Sequence, residues 1–302
     1  KSARRCCSRF FVWWLCHDSD PVSGGTLVTG PAPAAAGNSP TGRCFLMRRG
    51  IYDPERGVRS DGSPYVGMSE YLLYYSPDSA NLVVRAALEV CGAPYATELV
   101  DRSVGQQRSP AFLKLNPQGL IPVLVNGETV IFETAAILLY LVDRHPGLGP
   151  DVGTQGRPDL YRWLFFLSNT LHADLRVMFY PQRYLTRDSV VPSLRDGIRS
   201  RLDAHFTLLN AHMAKHRSGF LLAGGFSVCD LYLAVCCRWA MVYPVEAGIA
   251  VEPLRALGQL WALLEQLERH PAIMAACRAE WIEPPFLIAP RTPKPPVGSV
   301  TG

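Results

Sequence analysis

The sequence has no C-x-x-C pair among its nine cysteines, an odd number with no disulfide framework. That excludes a zinc ribbon and a dithiol redox centre, so no metal is expected, and it points to a reducing, cytoplasmic setting. Long apolar runs are also missing. The longest, such as Ala135–Val142, hold eight residues, far short of the roughly 20 that a membrane helix needs, so no membrane partner is expected. A basic body is absent too. Residues 1–67 hold 9 Lys/Arg against 5 Asp/Glu, which leaves 21 of each in residues 68–302. The formal charge of +4 therefore sits entirely in the first segment, and the remainder offers no electrostatic footprint for nucleic acid. What is present is ordinary globular material, 48% hydrophobic and 19% charged over 302 residues, enough for two domains with cores of their own.

Residues 1–67 read as an extension to the fold. Segment 21–42 is rich in Gly, Pro, Ala and Ser with no period of 2 or 3.6, the composition of disorder. The opening has the basic start and short apolar run (Phe10–Cys16) of a signal peptide, but no small-residue cleavage pattern follows directly. Met68, just before the first strand-like segment, would serve as an initiator.

From residue 68 the pattern is regular. Glu70–Tyr75 is β-prone, and Ser76-Pro77-Asp78 breaks it. Asn81–Val90 spaces its apolar residues as a helix does, and Tyr95–Val100 suits a second strand. Pro122–Val125 and Thr129–Phe132 flank Asn126-Gly127, a hairpin signal, and Ala135–Asp143 suits a helix. These elements make a small α/β domain over 68–146. A Gly/Pro-rich linker over 147–157 follows, and then strand signals stop. Residues 160–180, 194–215, 227–241, 253–269 and 271–281 all suit helices, giving an all-α domain over 158–283. Ser227-Val-Cys-Asp230 is a capping box with Phe226 and Leu231 at the staple positions. Cys229, Cys236 and Cys237 lie in an apolar helical stretch and read as core. The tail, 284–302, is proline-rich and reads as a loose wrap or as disorder.

Two strings carry a family resemblance. NPQGLIPVLVNGETVIFETAAILLYL (Asn116–Leu141) resembles the glutathione-binding core of the cytosolic glutathione transferases, and GGFSVCDLYLA (Gly224–Ala234) resembles the capped helix of their second domain. The flavour is bacterial or theta-like. The resemblance implies a thioredoxin-like N-terminal domain, an all-helical C-terminal domain, a homodimer, and a detoxification role with glutathione as co-substrate.

It also implies a site. Ile121-Pro122 matches the family's cis-proline dipeptide, where Ile121 would offer its N–H and C=O to the cysteinyl part of glutathione as an added strand. Glu133-Thr134 matches an acidic residue followed by Ser or Thr. At a helix N-terminus the Thr134 N–H and hydroxyl would hold the glutamyl carboxylate, and Glu133 the ammonium. Gln107, with Arg108 beside it, falls where theta-like members contact the glycine carboxylate. For the thiol's donor the candidates are Ser79, Tyr75 and Asn81, in that order. Ser79 could equally be a helix N-cap. Ala80 stands where beta-class members carry a reactive cysteine, and Leu120 replaces a common Lys or Gln. His172, with Leu171, Phe179 and Tyr180, is expected to line the second-substrate cleft.

Two classes of function fit these residues. One is a transferase that activates the glutathione thiol for attack on a small hydrophobic electrophile, or the related peroxidase, isomerase or dehalogenase chemistry on the same site. The other is a binding module that keeps the fold without catalysis.

Overall fold

The computed structural model describes residues 71–298 and, before them, the short antiparallel strands β1 (Tyr52–Asp53) and β2 (Val58–Arg59). The β1–β2 pair falls inside residues 1–67, read from the sequence as an extension, but beyond the segment 21–42 whose composition is that of disorder. Met68, the signal-like opening and segment 21–42 lie outside the described residues.

The α/β half is built on β3 (Tyr71–Tyr75), α1 (Asn81–Cys91), β4 (Tyr95–Leu99), α2 (Pro110–Leu115), β5 (Val123–Asn126), β6 (Thr129–Phe132) and α3 (Thr134–Val142). The sheet runs in the order β4-β3-β5-β6, with β3 parallel to β4 and antiparallel to β5. Every residue of β3 is buried, because the two faces of this central strand meet different layers. Tyr71, Leu73 and Tyr75 join the core that includes α1 and α3, while Leu72 and Tyr74 pack with Phe112 and Leu115 of α2. Successive strand side chains point to opposite faces, so a strand covered on both sides must be apolar throughout. In the hairpin, Asn126 pairs with Thr129, and the two-residue loop is Gly127-Glu128 rather than Asn126-Gly127. Gly127 supplies the left-handed turn residue at φ 57°.

The helical half starts with α4 (Arg157–Phe166), a π-type turn (Leu167–Leu171) and α5 (His172–Phe179) running on without a break. Then come α6 (Val191–Met213), α7 (Val228–Val242), α8 (Val251–Arg255), α9 (Gly258–Glu268) and α10 (Pro271–Ala279). Helix α7 is buried almost along its whole length, with Cys229, Cys236 and Cys237 in the core and each thiol pushed up by burial. Its capping box forms. The Ser227 N–H donates to Asp230 Oδ2 at 2.7 Å, and Ser227 Oγ accepts from the Cys229 N–H at 3.2 Å. Asp230 does more than cap: its Oδ1 accepts from the Leu221 N–H at 2.6 Å, tying the preceding loop to the helix.

Two expectations change. The helix expected over 253–269 is two helices, α8 and α9, because Asn210 of α6 caps the second from outside. Its Oδ1 accepts from the N–H groups of Gln259 and Leu260 at 2.9 and 3.1 Å. A cap delivered by another helix leaves no mark in local periodicity. The start of the proline-rich tail is not loose either. Phe286 and Leu287 are buried, and the N–H groups of Phe286, Leu287 and Ile288 all donate to the Glu268 carboxylate. Among the described residues no helix is long and apolar enough to cross a membrane.

Candidate active site

A cleft of about 1460 Å³ opens between the sheet's proline turn, the start of α1 and the helical wall formed by α4, α5 and α7. Of the sequence-predicted residues, Ser79, Gln107, Ile121, Pro122, Glu133, Thr134, His172, Phe179 and Tyr180 line it, as do Ala80, Arg108 and Leu120. Tyr75, Asn81 and Leu171 do not. Tyr75 is packed in the core with the Arg85 guanidinium 4.6 Å from its ring centre, Asn81 is fully buried beneath the turn, and Leu171 is core.

The turn at Ser76–Asn81 puts Ser79 in the cleft. Ser79 does not cap α1: the N-cap is Ala80, without a side-chain bond, and the Ser79 carbonyl accepts from the Leu82 N–H at 2.8 Å. Its hydroxyl instead donates to Asn81 Oδ1. The same oxygen accepts from the Ser76 N–H at 3.0 Å, while Asn81 Nδ2 donates to Glu280 Oε1 at 2.6 Å. Arg85 Nε donates to that carboxylate oxygen at 2.9 Å and the Asp78 N–H to its Oε2 at 2.8 Å. Burial pushes the Glu280 carboxyl up to about 7, against the pull of Arg85. The Asp78 carboxylate is engaged elsewhere. Oδ1 accepts from Arg238 Nε at 3.0 Å and Trp239 Nε1 at 3.2 Å, and Oδ2 from Arg238 Nη2 and the Tyr243 hydroxyl, both at 2.7 Å.

The opposite wall comes from the turn before β5. Ile121–Pro122 is cis, and the β-ladder begins only at Val123, so the Ile121 backbone groups are not spent in the sheet. Asn116 knits this turn, with Nδ2 donating to the Leu120 carbonyl at 2.8 Å and Oδ1 accepting from the Gln118 N–H at 3.0 Å. Gly119 is required here. It sits at φ 64°, and a Cβ would come within 2.9 Å of the Gln107 carbonyl oxygen, which packs the Gln107 segment against the proline turn. Glu133 adopts φ 72°, a conformation that non-glycine residues rarely take and that clusters at functional sites. It is the N-cap residue of α3, and its Oε1 accepts from Gln118 Nε2 at 3.0 Å. Thr134 follows in the first turn of α3, nearly buried.

On the helical wall, the His172 Nδ1 and Tyr232 hydroxyl are 2.7 Å apart, and the imidazole lies 5.0 Å from the Trp239 ring. Burial, and then Arg176, push its pKa down to about 4, so the ring is neutral at neutral pH. The Tyr180 hydroxyl accepts from Arg102 Nη2 at 3.1 Å, and Phe179 meets the Tyr243 ring at 5.8 Å. Among the described residues there is no group of three His, Cys, Asp or Glu side chains able to hold a metal ion. Sequence reasoning missed Asp78, Asn116, Tyr232, Arg238, Trp239, Tyr243 and Glu280. Only Asn116, in the turn string Asn-Pro-Gln-Gly, carried a local signal.

A four-stranded mixed sheet flanked by helices, with a cis-proline turn facing a cleft and an all-helical half beyond it, defines a thioredoxin-like domain joined to a helical domain. Family models give the same answer. Residues 69–143 match the N-terminal domain of glutathione S-transferases and residues 192–279 their C-terminal domain. The chain is 30% identical over 210 residues to glutathione S-transferase GST-4.5 of Xanthomonas campestris pv. campestris, covering 69% of this chain and 98% of that one. The solved glutathione S-transferase from Xylella fastidiosa superposes with a TM-score of 0.61 at 29% identity, covering 70% and 98%. A sphingomonad glutathione S-transferase, solved in complex with glutathione, gives 0.58 at 30%, covering 69% and 98%. The chain belongs to the glutathione S-transferase family.

Proposed function

We propose that the protein binds glutathione in this cleft and joins it, through its thiol sulfur, to an apolar electrophile. Ser79 is the residue that stabilises the thiolate. The observation that carries this reading is convergence: Ser79, Ile121, Glu133 and Thr134, separated by up to 55 positions in sequence, line one cleft. The Thr134 N–H and hydroxyl at the α3 N-terminus suit the glutamyl carboxylate. Glu133 suits the ammonium, the Ile121 backbone the cysteinyl unit, and Gln107 with Arg108 the glycine carboxylate. The thiol proton leaves to solvent, and the sulfur pair forms a C–S bond as the leaving group departs with its own pair. Phe179, Tyr180 and His172 wall the electrophile's side. A cleft of this size exceeds the roughly 300–1000 Å³ of a single small-ligand site, as two substrates require. Two copies of the chain are read as pairing isologously, in the cytoplasm.

The test is retention on immobilised glutathione, followed by turnover against a panel of electrophiles, peroxides and haloacids. Retention with turnover of electrophiles supports the reading, and turnover confined to another class would reassign the reaction. Retention without any turnover would leave a binding module, and absence of retention would overturn both.

A further inference from the structure

Asp78 stands at a backbone position made for glycine. Its φ is 50°, in the left-handed region where side chains are strained, and Asp and Asn are only the least disfavoured of the non-glycine residues. Glycine would adopt this turn freely. The aspartate must therefore be there for its carboxylate, and the structure shows what that carboxylate does. It accepts four hydrogen bonds, two from Arg238, one from Trp239 and one from Tyr243, and neither it nor the Arg238 side chain has any exposed surface. Its N–H is held separately by Glu280. All the partners of Asp78 thus come from α7, its C-cap and the end of α10, while the next residue in the chain is Ser79.

Those partners fall into two groups. Arg238 is an anchor, with two further N–H groups donating to the Phe286 and Arg291 carbonyls, each at 2.9 Å. Trp239 and Tyr243 line the cleft on the second-substrate side, against His172 and Phe179 respectively. Burial, reinforced by the neighbouring carboxylate, pushes the Tyr243 hydroxyl well up, so it remains a donor across the working range.

We propose that Asp78 is a positioning residue that sets Ser79 and the aromatic wall formed by Trp239 and Tyr243 in one register, so that sulfur and electrophile meet in a fixed geometry. This rests on the reading of Ser79 as the thiolate's donor. The turn delivers Ser79 to the sulfur, and the same carboxylate fixes the surface against which the electrophile lies. A small displacement of either group costs rate through lost alignment rather than through lost glutathione affinity.

The experiment compares Asp78→Asn, the double variant Asp78→Asn with Arg238→Met, and Ser79→Ala. Each is assayed for glutathione affinity, the midpoint of the bound thiol's titration, and kcat and KM toward one electrophile. Asparagine keeps the size and tolerates the positive φ but removes the charge. The double variant also removes the buried cation that would otherwise lose its partner, which keeps the protein folded if the single variant is not. The expected result is glutathione affinity within about twofold of wild type, with the thiol midpoint raised by roughly half to one unit. The kcat toward the electrophile should fall, and its KM rise, each about three- to tenfold. These shifts should persist in the double variant even where its melting temperature matches wild type. A merely structural Asp78 predicts the opposite: the double variant would regain the wild-type midpoint and KM, and that would overturn the proposal. If Ser79→Ala moves the midpoint and neither Asp78 variant does, positioning by Asp78 is wrong and thiol activation by Ser79 stands. If Ser79→Ala leaves the midpoint unmoved, the reading beneath the proposal fails, and the proposal falls with it.

Discussion

Ser79→Ala should raise the pKa of the bound thiol by about one unit, and the structure says why the shift is not larger. A free thiol ionises near 8.5, so a serine that stabilises the thiolate must donate its only hydroxyl proton to sulfur. That proton is already engaged: it points at Asn81 Oδ1. A neutral hydrogen bond contributes about 0.5–1.5 kcal/mol and one to a charged group about 1.5–3, so the thiolate wins the proton. Only the difference, roughly 1–1.5 kcal/mol, lowers the thiol pKa, and at 1.36 kcal/mol per unit that is about one unit. Asn81 does not resist the exchange strongly, because Oδ1 keeps the Ser76 N–H at 3.0 Å. The measurement is the ultraviolet absorbance of the thiolate in the glutathione-bound protein, titrated in wild type and variant. Below the wild-type midpoint the variant should hold about tenfold less thiolate and turn over about tenfold more slowly, with the deficit vanishing above its own midpoint. Glutathione affinity should change little. Superimposable titration curves would refute the assignment. Tyr75→Phe should leave the curve in place, because Tyr75 lies in the core rather than in the cleft.

Further outcomes follow from the same geometry. Asp230→Ala removes the acceptor of the Leu221 and Ser227 N–H groups, leaving two buried donors bare, and should lower stability by about 2–4 kcal/mol in denaturant titration. Ending the chain after residue 283 strips the Phe286 and Arg291 carbonyls from Arg238, along with the buried Phe286 and Leu287, so the melting temperature should drop by several degrees. His172 is held neutral down to about pH 4, so stability is present above the ordinary histidine pKa of about 6.5 and is lost as pH falls from there towards 4. The corresponding fall in melting temperature should be shallower in His172→Gln. Light scattering should return about twice the 33.3 kDa chain mass, and a single-chain mass at micromolar concentration would rule out the pairing expected of the family.

The sequence by itself determined the parts that depend on neighbours in the chain. The alternation and breaks of residues 71–132 are the sheet, since strand period and turn chemistry are local properties. Ser227 and Asp230 announce the start of α7 because a capping box lies within four consecutive residues. Ile121-Pro122 and Glu133-Thr134 were legible through the string that surrounds them. Tertiary structure decided what depends on distant partners. Asp78 reads locally as a turn residue, yet its acceptors' donors lie 160 to 165 positions away, and Asn81 meets Glu280 across 199. The helix break before Gly258 is set by Asn210, some 50 positions earlier. The resemblance ranked Ser79 ahead of Tyr75 and Asn81, but which of the three faces the cleft was decided by packing, because within seven residues the chain passes from strand to turn to helix. The physical reason is common to all of these. A buried charge and a surface charge are the same letter in a sequence, and burial, which makes a hydrogen bond to that charge worth keeping, is conferred only when the two halves of the fold close on each other.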